Sequence, residues 1–354
     1  MTLDATVSLR DAPRVAGLRF RPYRGPQDCE ALAAVHAGSA ARDRVDPLSA
    51  REHVYSADEL RTMLAGVAPG SPDVLVADVD GTVVGYNHAL WRWTEVTGAR
   101  VYLHLGYLLP AWRGRGIGGA LLRWSQARIR AIAAEEPPAA GPRFLATNVS
   151  STQPEADALV RGDGYAAVRR LSDMALDLAG APTAGDAARP LPAGVDVRGV
   201  TPEQYPAIYA AWTEAFAEVW TSTPAGEEDY REFLEEKVEA PGFDPALCRV
   251  AWAGDTAVGM VWIYRDRGVA TVLEVAVRPA WRRRGIARAL LADALRAIRA
   301  YGIMQVRLFT DADNGQGARS LYESRGFREL KQHSFYRRPL EVPPPHGEAA
   351  EDDI

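Results

Sequence analysis

Two stretches of the chain place arginines and glycines where they could hold an anion. PAWRGRGIGGALLR begins at Pro110, and PAWRRRGIARALLA begins at Pro279, 169 residues further on. In each, strand-type sequence runs into a proline, then into arginine with glycine, then at once into helix-forming sequence. Glycine lets a backbone approach a ligand closely. The first N–H groups of a helix have no partner within it, and the helix dipole favours negative charge there. Such a turn suits a pyrophosphate, and Arg113, Arg115, Arg282 and Arg284 add positive charge beside it. The chemistry implied is recognition of a phosphate-bearing ligand, once per repeat.

Gly114, Gly116 and Gly119 also satisfy the G-x-G-x-x-G spacing of dinucleotide sites. Such a site needs an acid ending the next strand, about 20 residues on. That strand ends instead in Thr147-Asn148, and the second copy carries Arg283, Gly285 and Arg288 in the glycine positions, so this reading is rejected. Ahead of the second turn, alternation along Thr271–Val277 puts Glu274 and Ala276 on one face and Leu273, Val275 and Val277 on the other. A carboxylate in so apolar a strand is unfavourable unless it is paired or used. Glu274 is therefore either a general base or a Glu that reaches an Arg across the sheet or lies on a solvated edge.

The elements that must position these residues are themselves repeated. Each copy opens with a short strand ending in arginine, Arg21 or Arg198, followed by helical spacing such as Tyr205, Ile208, Trp212 and Phe216. A hairpin follows, turning at Asp80-Gly81 or Gly254-Asp255. Next come the strand before the Arg/Gly turn, a helix (about Gly118–Ala134 or Ala287–Tyr301), one more strand, a second helix and a Gly-aromatic pair, Gly164-Tyr165 or Gly326-Phe327. This order divides the chain into an extension (1–16), a first domain (17–178), a linker (179–193), a second domain (194–340) and a tail (341–354). The linker is rich in Ala, Pro and Gly, and the Pro-rich, acidic tail is expected to be disordered.

With 354 residues, 47% of them hydrophobic, the chain can build two cores. A net charge of −5 leaves no basic stripe for a nucleic-acid backbone, so nucleic acid is not an expected partner. Cys29 and Cys248 lie in different copies and outside any CxxC spacing, which argues against a disulfide framework or a metal site and suits a reducing compartment. The first residues do not read as a signal peptide, and no run of about 18 apolar residues is present to span a membrane. A cytoplasmic protein without membrane or metal is expected.

The pattern shared by the turns is Arg-x-x-Gly-x-Gly/Ala: Arg113, Gly116, Gly118 and Arg282, Gly285, Ala287. It resembles motif A of the GNAT superfamily, N-acetyltransferases that use acyl-CoA, and the element order of both copies is similar to that family's. Asn314, Leu321, Tyr322, Gly326 and Phe327 resemble its closing N…LY…GF signature, with the Asn-to-Tyr spacing one residue longer than usual. The tandem layout is similar to mycothiol-synthase-like double-GNAT proteins. The resemblance implies an α/β (α+β) chain of two tandem domains, each a mixed, mostly antiparallel sheet flanked by helices. It implies acetyl-CoA as cosubstrate, held by the turn from Arg282 through Arg283, Arg284, Gly285, Ile286 and Ala287 to Arg288, by Asn314, and by the backbone of Val275, Ala276 and Val277. Arg113, Gly114, Arg115, Gly116 and Gly118 would be the counterparts in the first copy. Glu274 falls where the family often has its base, and Tyr322 where it has a tyrosine that protonates the leaving thiolate; a core aromatic is the other reading of Tyr322.

The first copy has Leu105 at the position of Glu274 and Val160 at that of Tyr322. Neither can move a proton, so the first domain is expected to be degenerate and the second catalytic. His104 reads as structural, with an independent site in the first copy as the other possibility. In this family the first helix pair lines the acceptor cleft. Here it offers Trp212, Glu214, Phe216, Glu218, Trp220, Glu227, Glu228 and Asp229, which would suit a cationic small-molecule amine or else form a solvated helix face. The expected activity is acetyl transfer from acetyl-CoA to such an amine by direct attack, in a monomer with pseudo-dimeric halves or a homodimer. The competing expectation is a non-catalytic acyl-CoA-binding module.

Overall fold

The structure, a computed structural model, describes residues 6–340 apart from 50, 96, 138–140, 181–190, 218–226 and 314–316. Among these the chain runs β1 (Leu18–Pro22), α1 (Cys29–Ala40), α2 (Ala57–Met63), β2 (Val74–Val79), β3 (Thr82–Thr94), β4 (Arg100–Leu108), α3 (Ile117–Glu135), β5 (Arg143–Ser150), α4 (Pro154–Gly162) and β6 (Ala166–Asp177). The order then repeats as β7 (Val195–Arg198), α5 (Tyr205–Phe216), α6 (Glu227–Phe233), β8 (Arg249–Ala253), β9 (Thr256–Asp266), β10 (Val269–Val277), α7 (Ile286–Ala300), β11 (Gln305–Asp311), α8 (Ala318–Glu323) and β12 (Arg328–Pro339). The repeat and the mixed α/β class agree with the sequence reading.

By its contacts the chain forms two units, residues 1–169 with 333–354, and residues 170–332. In unit 1 the strand order is β1-β2-β3-β4-β5-β12, and in unit 2 it is β7-β8-β9-β10-β11-β6. Each sheet has one parallel pair, β4 with β5 or β10 with β11, among antiparallel neighbours.

The units depart from the sequence boundaries 17–178 and 194–340 at one place, the closing strand. β6, which belongs to the first copy by sequence, pairs along β11, Leu171–Asp177 against Asp311–Gln305. β12, from the second copy, pairs along β5 over His333–Pro339. The closing strands are thus exchanged. Alternation could not reveal this, because β5 and β11 present equivalent edges and either strand satisfies either one. The path of the chain decides the pairing.

Helices position the turns from beneath and above the sheets. In unit 2, α7 packs on β8, β9 and β10, burying Ile286, Leu290, Leu291, Ala294 and Ile298, while α5 packs on β9 and β10. In unit 1, Val7, Leu9 and Val15 of the N-terminal extension join a core of Phe20, Ile117, Ala120 and Leu121. Both parallel ladders are short. β10 meets β11 only from Val269–Val272 to Gln305–Leu308, and β4 meets β5 only from Arg100–Leu103 to Arg143–Ala146. Past those points each pair parts, just before the strand enters its Arg/Gly turn.

Tyr336 tests the exchange. It lies on β12 yet is fully buried in unit 1 with Leu145 and Val160, and its hydroxyl donates to Asp157. Tyr336→Ala should destabilise unit 1 by about 3–5 kcal/mol. Amide hydrogen exchange should then show lost protection in β5 and α4 while β9 and β10 keep theirs; loss confined to β11 would contradict the exchange.

Candidate active site

The two turns share one backbone design. A 3-10 turn over Pro110–Trp112 or Pro279–Trp281 ends at an extended arginine, Arg113 (ψ 158°) or Arg282 (ψ 158°). The N-cap that follows is a left-handed glycine, Gly116 (φ 84°) or Gly285 (φ 86°). A side chain in that conformation costs roughly 1–2 kcal/mol, which explains glycine at both N-caps. Gly114 (φ 73°) is matched in the second copy by Arg283, which holds a strained φ of 63°. Arg115 stacks over Trp112 at 4.9 Å and Arg284 over Trp281 at 5.1 Å. Among the described residues, no side chain caps α7 and no acid stands in its first turn, so the N–H groups of Ile286, Ala287 and Arg288 face outward with arginines around them.

The side chains around the turns differ. Arg113 is clamped by Asp43, with Nη1 and Nη2 donating to its two carboxylate oxygens at 2.6 and 2.7 Å; Glu155 lies 3.9 Å away. Arg282 donates to carbonyls, Nη2 to Ala215 O at 2.9 Å and Nε to Val277 O at 3.2 Å, as Arg113 Nε does to Leu108 O at 3.1 Å. The paired carboxylate of Asp43 offsets the charge of Arg113.

Glu274 stands where the ladder with β11 has just ended. A bulge between Val272 and Glu274 leaves Leu273 out of the pairing with β9, and bulges commonly re-aim a side chain near active sites. Glu274 turns towards α5: its Oε2 accepts from Trp212 Nε1 at 2.7 Å, and its Oε1 lies 2.9 Å from Lys237 Nζ. Glu274 is thus paired, though with a lysine from another element and not with an Arg across the sheet. Lys237 escaped the sequence reading because it sits in a π-helical turn, Leu234–Val238, directly after α6. Tyr264 nearby donates its hydroxyl to Glu236 O, and burial, aided by the charge of Glu274, pushes its phenol up to about 12.

Aromatic rings wall this region. Trp212 stacks near Tyr209, Phe216 and Phe233, and Tyr209 packs against Tyr230. Glu214 does not join it; its carboxylate is taken by Arg278. Glu218, Trp220 and Asn314 lie outside the described residues. Tyr322, on α8, is 8% exposed and meets Phe327 edge-on at 5.9 Å; burial pushes its phenol up to about 12. Glu274 comes from β10, and Tyr322 from a helix that packs on β11, the strand beside β10.

Unit 1 fills the equivalent places differently. Gly85 pairs with Leu108 as Gly259 pairs with Val277, which fixes the register and puts Leu105 at the Glu274 position. The extra residue of the bulge falls on β3, between Ala89 and Trp91, and not on the strand that enters the turn. His36 occupies the helical position of Trp212; its Nε2 pairs with Tyr86 Oη at 2.7 Å, among the rings of Tyr55 and Tyr107. Burial pushes His36 down to about 4, and does the same to His104, which is bonded to Tyr165 Oη at 2.7 Å. Both are neutral structural groups near pH 7. Val160 is buried in the core.

Comparison with known proteins agrees with this architecture. The model of the acetyltransferase (GNAT) family matches residues 42–136 and 205–327. A mycothiol acetyltransferase from Geodermatophilus obscurus is 32% identical over 324 residues, covering 88% of this chain and 95% of its own. One from Clavibacter michiganensis is 31% identical, covering 83% and 89%. Among solved structures, a GCN5-related N-acetyltransferase from Sphaerobacter thermophilus superposes with a TM-score of 0.70 at 24% identity, covering 95% of this chain and 98% of its own. A tandem GNAT protein from the clavulanic acid biosynthesis pathway gives 0.60 at 18%, covering 92% and 100%. Among the described residues no set of His, Cys, Asp and Glu gathers as metal ligands, and no helix is long and apolar enough to cross a membrane.

The Glu274 pairing carries a stability prediction. Glu274→Ala leaves the mostly buried Lys237 ammonium and Trp212 indole without their acceptor, which should cost about 1–3 kcal/mol. Urea unfolding followed by tryptophan fluorescence should show that loss; an unchanged midpoint would mean the pair is not formed in solution.

Proposed function

Since the chain belongs to the acetyltransferase (GNAT) family and is an N-acetyltransferase, we propose that unit 2 transfers acetyl from acetyl-CoA directly to the primary amine of a small molecule. GNAT acetyltransferases use acetyl-CoA as cosubstrate. The observation that supports the assignment to unit 2 is the asymmetry between the copies: both keep the left-handed glycine turn, but the second has Glu274 and Tyr322 where the first has Leu105 and Val160.

The fit to acetyl-CoA rests on three features of this chain. The uncapped N–H groups of Ile286–Arg288 and the charge of Arg283, Arg284 and Arg288 would hold the pyrophosphate. The edge of β10 that β11 no longer pairs, Glu274–Val277, offers backbone groups to the pantetheine amides. A main-chain N–H near Val275 or Val277 would steady the carbonyl oxygen as charge builds on it. The amine nitrogen attacks the thioester carbon, the C–N bond forms and the C–S bond breaks. Glu274 receives the amine's proton, directly or through water. A carboxylate has about four lone-pair sites, and Trp212 and Lys237 use two, so capacity remains. Tyr322 donates its proton to the departing thiolate, and its raised pKa of about 12 keeps that proton in place until then.

For the acceptor, the relatives named mycothiol acetyltransferase supply the reading: the free-amine form of mycothiol, lacking its acetyl group. Aromatic faces of Tyr209 and Trp212 beside a carboxylate suit an amine on a ring-bearing scaffold. Unit 1, with Arg113 neutralised and Leu105 and Val160 in the acid/base positions, serves as scaffold.

Two measurements check this. Acetyl-CoA titrated calorimetrically into the full-length protein should bind, and Gly285→Glu should abolish it; Gly285→Ala, which bears the same backbone strain without the charge, should retain measurable affinity. Equal loss in both would assign the effect to the fold. Tyr322→Phe should lower kcat by about 10²-fold with acetyl-CoA affinity unchanged, read as CoA thiol released with deacetylated mycothiol as acceptor. Undiminished turnover would return Tyr322 to the core.

A further inference from the structure

Lys237 and its turn are held in place by four polar contacts. The π turn that carries it closes with Glu239 N–H donating to Leu234 O at 2.9 Å, a rare geometry that recurs at functional sites. Trp262 Nε1 donates to the Lys237 carbonyl at 2.9 Å, and the Tyr264 hydroxyl donates to the carbonyl of Glu236 at 2.7 Å. The ammonium then reaches Glu274 Oε1 at 2.9 Å, with side-chain exposures of 23% for the lysine and 13% for the glutamate. The turn spends irregular backbone to set one charge against one carboxylate.

A carboxylate facing a cationic amine alone does two opposed things. It draws the amine in, and it favours the protonated form, because an opposite charge within about 4–6 Å raises an amine's pKa. Attack on a thioester needs the neutral amine. We infer that Lys237 is a positioning residue that resolves this conflict: its fixed positive charge compensates Glu274, so the acceptor amine can be hydrogen-bonded by Glu274 without being trapped as an ammonium. Lys237 acts through Glu274 and does not touch the reacting atoms. The inference rests on Glu274 receiving the acceptor's proton, as proposed above.

Other charges near the pair are accounted for. The π turn and its flank carry Glu235, Glu236 and Glu239; α6 carries Asp229, Glu232 and Arg231, the last paired with Glu228 and Glu235. β9 contributes Tyr264, protonated up to about 12, and α5 contributes the neutral Trp212 and Tyr209. Carboxylates and arginines ordinarily titrate outside about pH 6 to 9, so a pH limb in that window is assigned to the bound amine.

The test uses the full-length enzyme with acetyl-CoA and deacetylated mycothiol, measuring kcat and the acceptor KM from pH 6 to 10 for the unaltered chain, Lys237→Met and Lys237→Arg. In Lys237→Met the acid limb of kcat should move up by about one unit, so that kcat drops about tenfold at pH 7 and recovers by pH 9, with KM unchanged or lower. Lys237→Arg should keep the original limb. An unmoved limb, a loss equal at every pH, or an arginine variant that behaves like the methionine one would overturn the role of Lys237. If Lys237→Met fails to bind acetyl-CoA, Lys237→Gln replaces it under the same criteria. An unaltered enzyme that binds acetyl-CoA but releases no thiol with this acceptor would instead overturn the acceptor reading, and the inference with it.

Discussion

The site in unit 2 depends on β10 letting go of β11 before it reaches the Arg/Gly turn. The parallel ladder ends at Val272–Leu308, while pairing with β9 continues to Val277 and carries the strand into the turn. One edge of β10 is thereby left with backbone donors and acceptors that a folded protein seldom leaves unsatisfied. The strand then leads through the turn into the N-terminus of α7, which no described side chain caps. The bulge at Leu273 belongs to this constraint, because it turns Glu274 towards α5 at the point where the strands part.

Unit 1 obeys the same constraint with different side chains. Its ladder also ends early, and its turn has the same left-handed glycine. What changes is electrostatic and steric: a His36–Tyr86 pair packed by Tyr55 and Tyr107 fills the helix–sheet contact, and Leu105 replaces the carboxylate. The fold is shared while the chemistry resides in a few side chains, as expected when function is grafted on a scaffold. Duplication shows this within one chain, with the backbone as its own control.

Most of the fold was legible because it is written in local pattern. The turns announced themselves by glycine and arginine at matched spacing, and α3 and α7 begin within one residue of where helical sequence starts. The acid/base candidates were legible as residue types, though not that Glu274 turns towards α5. Its partner was not legible, since a π turn has no simple hydrophobic period and Lys237 lies 37 residues away in sequence. Glu214 was ambiguous for a related reason: a helical acid next to aromatics can be a ligand group or a solvated face until Arg278 is seen to hold it. Pairing across distant sequence is the information that single-residue pattern lacks.

The exchanged closing strands are the clearest case, and they bear on what counts as a domain here. A fragment cut at the repeat boundary, residues 194–340, would carry β12 without the β5 edge it pairs with, and would leave β11 without β6. An exposed central strand of that kind is an invitation to mispairing. The smallest piece holding a whole unit 2 runs from Arg170 to Gln332, and it begins inside a strand of the first copy and ends inside a strand of the second. The candidate acid/base groups lie in one copy, but the fold that supports them is drawn from both. The absence of counterparts to Glu274 and Tyr322 in the first copy therefore does not free that copy to be lost, because β6 is still required along the edge of β11.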